Sequence, residues 1–326
     1  MKIKPIIIVA GEPYSTFLEI FFKSYKSNVL KKFPIILIAS KKNLTGQMKK
    51  LGYKYEISLV NEKKINKLKP SQKKINLINI DFNKSKIIDK ISKNSKNYIE
   101  QCFKKAIKLL KEKKSRVLIN GPISKTHFLN KKYPGITEYL SKKTNKLGDE
   151  VMLIYNEKLS VSPITTHISL KDIFKNISIN KIIKKVDAIN YFYKKKLNKK
   201  AKFAITGLNP HCESKNPKNE EKKIILPAIK ILKKKKINIQ GPFPADTMFL
   251  SKNRRKFNVI IGMYHDQVLT PIKTLYEFKA INITLGLPFI RISPDHGTNN
   301  KMLGKKTSDP SSLIEAFKFI KKVSAN

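Results

Sequence analysis

Short, β-branched apolar runs alternate with amphipathic segments along this whole chain, which confines it to a sheet with helices packed against it. The runs lie at residues 6–10, 35–39, 75–80 and 116–120, then 151–155, 161–166, 202–206, 258–263 and 280–284. Being apolar throughout, they read as buried, mostly parallel strands. Between them, residues 95–113 place Tyr98, Ile99, Cys102, Phe103, Ala106, Ile107 and Leu110 on one helical face. Lys104, Lys105, Lys108 and Lys111 fill the other. Residues 180–196, 219–236 and 310–323 carry the same spacing. The expected fold class is α/β, with two α/β/α lobes and a largely parallel sheet.

At 326 residues the chain is long enough for two lobes. No Gly/Ser- or Pro-rich linker separates them, so they join intimately. Residues 61–74, rich in Lys and Asn, read as a surface loop. The first apolar run is about five residues long and leads into Gly11-Glu12-Pro13, which suits a first strand and not a signal peptide. Nothing approaches the ~20 apolar residues of a membrane span. Cys102 and Cys212 are the only cysteines, too few for a disulfide framework, so a cytoplasmic protein is expected.

A formal charge of +46 invites a nucleic-acid reading. Yet only four basic residues are arginine (Arg116, Arg254, Arg255, Arg291), and the lysines are spread over every polar segment. Base and phosphate recognition favours arginine forks, so no specific nucleic-acid partner is expected.

Three runs lead to histidine: residues 161–166 to His167, 203–210 to His211 and 259–264 to His265. Ligands of open α/β sheets gather beyond the carboxyl ends of the strands. Three imidazoles there form a candidate metal site with a coordination position left for substrate. The bland alternative is three separate structural histidines, since the spacing holds no ligand-pair signature. Thr165, Thr166, Asn209 and Asp266 supply neighbours that can orient the rings.

A second group suits an anionic substrate. Arg291 is isolated in the apolar run 287–292, and a buried guanidinium needs an anion, either a protein carboxylate or a ligand phosphate. Lys273 and Asn282 precede it; Thr137 can cap a helix whose N-terminal amides favour an anion. A solvated lysine and an ordinary cap are the plain alternatives. Residues 241–247 read as a rigid polar loop with Asp246 as a candidate acid or base. Asp295-His296-Gly297-Thr298 is either a nucleotide-holding loop or a turn. The first turn holds one glycine, so a dinucleotide fingerprint is absent and any nicotinamide cofactor binds another way. His127 reads as a surface residue.

Taken together, Gly121-Pro-Ile-Ser-Lys125, Thr165-Thr-His167, Thr206-Gly-Leu-Asn-Pro-His211, Gly241-Pro-Phe-Pro-Ala-Asp-Thr247, Met263-Tyr-His-Asp-Gln267 and Asp295-His-Gly-Thr298 resemble the 4-hydroxythreonine-4-phosphate dehydrogenase family of vitamin B6 biosynthesis. Residues 282–291 add to the match, which spans essentially the full chain. The resemblance implies a homodimer with the fold of isocitrate and isopropylmalate dehydrogenases. Residues 1–125 plus 283–326 would form the cofactor lobe, and 126–282 the metal, substrate and dimerisation lobe.

It further implies one divalent ion (zinc, cobalt, magnesium or manganese) on His167, His211 and His265, in an active site shared between subunits. Thr137, Lys273, Asn282 and Arg291 would touch the substrate, and Asp295, His296, Gly297 and Thr298 the NAD or NADP. Asp246, Asp266 and Lys125 are candidates for proton transfer or support. The implied reaction is NAD-dependent oxidation of 4-phosphooxy-L-threonine with loss of carbon dioxide. Threonate or erythronate 4-phosphate are alternative substrates.

Three departures from the family pattern stand out. Ile136 replaces a histidine before Thr137-Glu138, removing a hydrogen-bonding group from the expected pocket. Tyr14-Ser-Thr stands in a first turn that is usually glycine-rich, and Asn299-Asn-Lys follows Thr298 in place of small and acidic residues. None touches the three histidines.

Overall fold

The computed structural model describes residues 4–71, 73–83, 86–129, 132–213 and 219–325. They form two compact units, Met1–Glu150 with Leu287–Lys321, and Val151–Gly286 with Lys322–Asn326.

The first unit holds β1 (Ile6–Val9), β2 (Ile35–Ala39), β3 (Glu56–Leu59), β4 (Lys74–Asn79), β5 (Val117–Asn120) and β12 (Ile290–Ser293). Their order is β3-β4-β2-β1-β5-β12, with every pairing parallel. Its helices are α1 (Phe17–Tyr25), α2 (Lys41–Leu51), α3 (Lys96–Lys111), α4 (Ile136–Lys143) and α11 (Ser311–Ala325) as far as Lys321. The apolar face read from residues 95–113 is the buried face of α3, which packs on β1 and β2. Burying a ring such as Phe103 stabilises the fold by about 1.5–3 kcal/mol.

The chain runs from β1 to β2 on one side and reaches β5 on the other, so β1 is a topological switch point. At its carboxyl end two turns meet. A Cβ on Gly11 (φ +79°) would lie 2.4 Å from the Pro122 carbonyl oxygen, and one on Gly121 2.2 Å from that of Ala10.

Residues 126–150, expected in the second lobe, fold with the first. The cause is apolar packing, since Phe128, Leu129, Tyr139 and Leu140 fill the same core as Ile7, Ile36 and Phe103. The expected loop at 61–74 contains a 3-10 turn, Glu62–Lys67, whose Ile65 is buried.

The second unit holds β6 (Val151–Tyr155), β7 (Ser160–Pro163), β8 (Phe203–Thr206), β9 (Ile239–Phe243), β10 (Val259–Gly262) and β11 (Ile281–Leu285). The order is β11-β6-β7-β10-β8-β9. β7, β10, β8 and β9 are parallel, while β6 runs antiparallel to β7 and β11. Helices α5 (Ile173–Asn176), α6 (Ile179–Lys196), α7 (Leu226–Lys234), α8 (Ala245–Met248), α9 (Ser251–Arg254) and α10 (His265–Tyr276) complete it, with α10 packed on β7 and β10. Residues 241–243, expected in a loop, belong to β9. Among the described residues no helix is long and apolar enough to cross a membrane.

Candidate functional site

β7 and β10 are neighbours, with Pro163 opposite Gly262. Their contact continues past the ladder: Ile164 N–H donates to the Gly262 carbonyl at 2.7 Å, and Thr165 N–H to that of Met263 at 3.1 Å. The Thr165 hydroxyl donates to the same Met263 oxygen at 2.8 Å. The chain is thereby carried over the start of α10, and the His167 and His265 rings lie 5.8 Å apart, tilted by 41°. Two imidazoles on one divalent ion have centroids about 5–6 Å apart, so the pair fits that group. His265 Nδ1 lies 2.6 Å from Asp266 Oδ1. With the proton on Nδ1, Nε2 is left as a ligand. The His265 side chain is 33% exposed, enough for an ion to reach it.

His211 stands apart. It lies in the exposed turn Pro210–Cys212 after β8, with φ +55°, and Cys212 follows at φ +61°. Two successive left-handed residues other than glycine are strained and need outside support. Glu221 supplies it. Its Oε1 accepts from the N–H groups of Leu208 and Asn209, each at 2.8 Å, and its Oε2 from Asn209 Nδ2 at 2.8 Å. Burial raises the Glu221 pKa, but the bonds from Asn209 and Leu208 outweigh it and the result is lowered. Among the described residues no three His, Cys, Asp or Glu side chains are grouped to hold an ion. The structure therefore joins two of the three expected ligands.

The His211 turn packs against α8, which carries the exposed Asp246. Asp246 Oδ1 accepts from Thr247 N–H at 2.9 Å. Lys273 is exposed in the last turn of α10. Asn282, half-buried on β11, keeps a buried side-chain oxygen with no hydrogen bond among the described residues.

In the first unit, Arg291 on β12 is fully buried. Its Nε donates to Asn120 Oδ1 at 2.8 Å and its Nη1 to Thr137 Oγ1 at 3.3 Å. Burial pushes the guanidinium down to about 10, against the pull of the Glu138 carboxylate. A protein carboxylate thus stands beside it. Thr137 is not a cap, because Gly135 occupies that position in α4 and the Thr137 hydroxyl serves Arg291. Asn120 was missed by sequence reasoning, since an asparagine closing an apolar run carries no sign of a partner so distant in sequence.

Asp295 N–H donates to Ser312 Oγ at 2.6 Å, and Thr298 accepts from Thr16 N–H at 3.2 Å, so the loop is tied at both ends. Gly297 between them is exposed, while burial lowers the His296 pKa against Asp295 and Asp309. Lys125, exposed, opens a π-helical turn, Lys125–Leu129. His127, expected at the surface, is half-buried there, because the turn folds onto the core through Phe128 and Leu129.

Two departures from the family pattern meet: Asn300 Nδ2 donates to the Tyr14 carbonyl at 3.0 Å. The third, Ile136, packs against the core. Glu12, which nothing in the sequence singles out, is 2% exposed and accepts from Ser95 Oγ at 2.9 Å. Burial raises its pKa to about 7, against that hydrogen bond.

The family profile described as "Pyridoxal phosphate biosynthetic protein PdxA" matches residues 31–320. The chain is 41% identical to a 4-hydroxythreonine-4-phosphate dehydrogenase of Sulfurihydrogenibium sp. over 317 residues, 95% of each protein. It is 35% identical to a D-threonate 4-phosphate dehydrogenase of Pectobacterium atrosepticum over 201 residues, 61% of each. Among solved structures it resembles a 4-hydroxythreonine-4-phosphate dehydrogenase from Klebsiella pneumoniae, with a TM-score of 0.84 and 26% identity, covering 98% of this chain and 99% of that one.

Proposed function

We infer the function of this chain from one premise: it belongs to the PdxA family of pyridoxal phosphate biosynthetic proteins. It is accordingly a dehydrogenase. The reaction is oxidation of 4-phosphooxy-L-threonine by NAD, with NADP as the alternative, to 2-amino-3-oxo-4-phosphooxybutanoate. Loss of carbon dioxide then yields 3-amino-2-oxopropyl phosphate.

The observation that carries this reading is the facing pair His167 and His265, with Asp266 on the rear nitrogen of His265. With His211 as third ligand they would hold a divalent cation: zinc, cobalt, magnesium or manganese. When bound, such an ion supplies the positive charge that lowers the pKa of a secondary hydroxyl. Lys273 and Asn282, and Thr137 and Arg291, take the anionic ends of the substrate and supply the orientation that hydride transfer needs. Arg291 is buried and donates to the hydroxyl of Thr137 on α4 at 3.3 Å. Asp295, His296, Gly297 and Thr298 lie along the nicotinamide cofactor. Asp246 or Lys125 moves the proton. The enzyme works in the cytoplasm as a homodimer with a shared site.

A second reading has support in Ile136, an apolar residue where the family offers a hydrogen bond, and in the D-threonate 4-phosphate relative. On that reading threonate or erythronate 4-phosphate is the substrate. Purified protein assayed for NADH formation with each compound decides between them by kcat/KM. Activity with none of them refutes both.

A further inference from the structure

Gln267 lies two residues after His265, and its side chain bonds to three segments. Oε1 accepts from Met263 N–H at 2.6 Å and from the Thr206 hydroxyl at 2.8 Å, while Nε2 donates to the Gly207 carbonyl at 2.8 Å. Thr206 closes β8, and Gly207 opens the loop that ends on His211. Met263 follows β10, and its carbonyl already holds Thr165 on the way to His167. One amide therefore ties together the segments that carry all three histidines. Its orientation is fixed, because a flipped amide would set its nitrogen against a backbone N–H and its oxygen against a carbonyl.

The surroundings are close-packed. A Cβ on Gly262 would fall 3.0 Å from Gln267 Oε1, and one on Gly207 2.7 Å from Cys212 Sγ. Glu221 grips Leu208 and Asn209 of the same loop. The loop is thus pinned from two sides just before the strained pair His211 and Cys212.

We propose that Gln267 is a positioning residue that fixes the start of the His211 loop against the strand ends bearing His167 and His265, and so sets where His211 stands as a metal ligand. This rests on the metal reading given above. The test titrates cobalt(II) into the full-length protein and records affinity and the visible absorption spectrum, neither of which needs turnover. Gln267→Glu keeps both acceptor contacts but sets an oxygen against the Gly207 carbonyl. It should weaken cobalt binding about tenfold or more and move the spectrum toward that of His211→Ala. Thr206→Val removes one donor and leaves Gly207 held, so it should shift both readouts less, in the same direction. It decides the matter if Gln267→Glu fails to fold. Wild-type affinity and spectrum in the folded variants would overturn the positioning role. A wild-type protein that binds no cobalt would instead overturn the metal reading, and with it this proposal.

Discussion

The Met263 carbonyl receives Thr165 twice, from its N–H at 3.1 Å and its hydroxyl at 2.8 Å. This contact extends the β7–β10 pairing beyond the strands and brings His167 beside His265. Thr165→Val removes the hydroxyl bond and leaves the backbone bond. It should cost about 1 kcal/mol in urea unfolding and weaken metal binding. Unaltered stability would show that the hydroxyl contributes nothing.

Asp266 is 74% exposed and meets His265 Nδ1 at 2.6 Å. Asp266→Asn should lower zinc affinity about 10- to 100-fold while thermal unfolding stays as in the wild type. Calorimetric titration checks this, and equal affinity would mean that the carboxylate does not orient the ring.

Glu12 holds its proton more tightly in the folded chain, at about 7 against an ordinary 4.5. Its contribution to stability is fully present below pH 4.5 and is lost as pH rises through about 7. Above that, ionising the buried group costs about 3 kcal/mol. Glu12→Gln, which stays neutral, should match the wild type near pH 4.5 and exceed it above pH 7. Melting curves across that range would refute the prediction if the gap stayed constant.

Asn120→Leu leaves Arg291 Nε buried without its acceptor. A hydrogen bond to a charged group is involved, so about 2 kcal/mol should be lost. Denaturant unfolding measures it. Asn120→Asp, which keeps an acceptor oxygen, should restore much of the loss, and equal destabilisation by both variants would refute the pairing.

The meeting of His167 and His265 was legible because both follow apolar runs, and those runs became adjacent parallel strands. His211 was not, for two reasons. β8 lies beyond β10 in the order, and the left-handed turn at 211–212 sets where the ring goes. β3 and β9 were also missed as strands. β3 is a partly exposed edge and β9 contains Gly241-Pro242, so neither reads as a uniform apolar run. The reach of α4 into the first core escaped notice because its apolar residues match a core they meet only after folding. Asn120, Gln267 and Glu12 were invisible for a related reason. Each is an ordinary polar residue whose role is set by what lies across from it.

Where the turns after β1 and β5 touch, neither Gly11 nor Gly121 has space for even one carbon more. Any larger residue at either position would wedge the strand ends apart. Side chains along this rim therefore begin with the residues that follow, and Tyr14 is among them, its carbonyl held by Asn300.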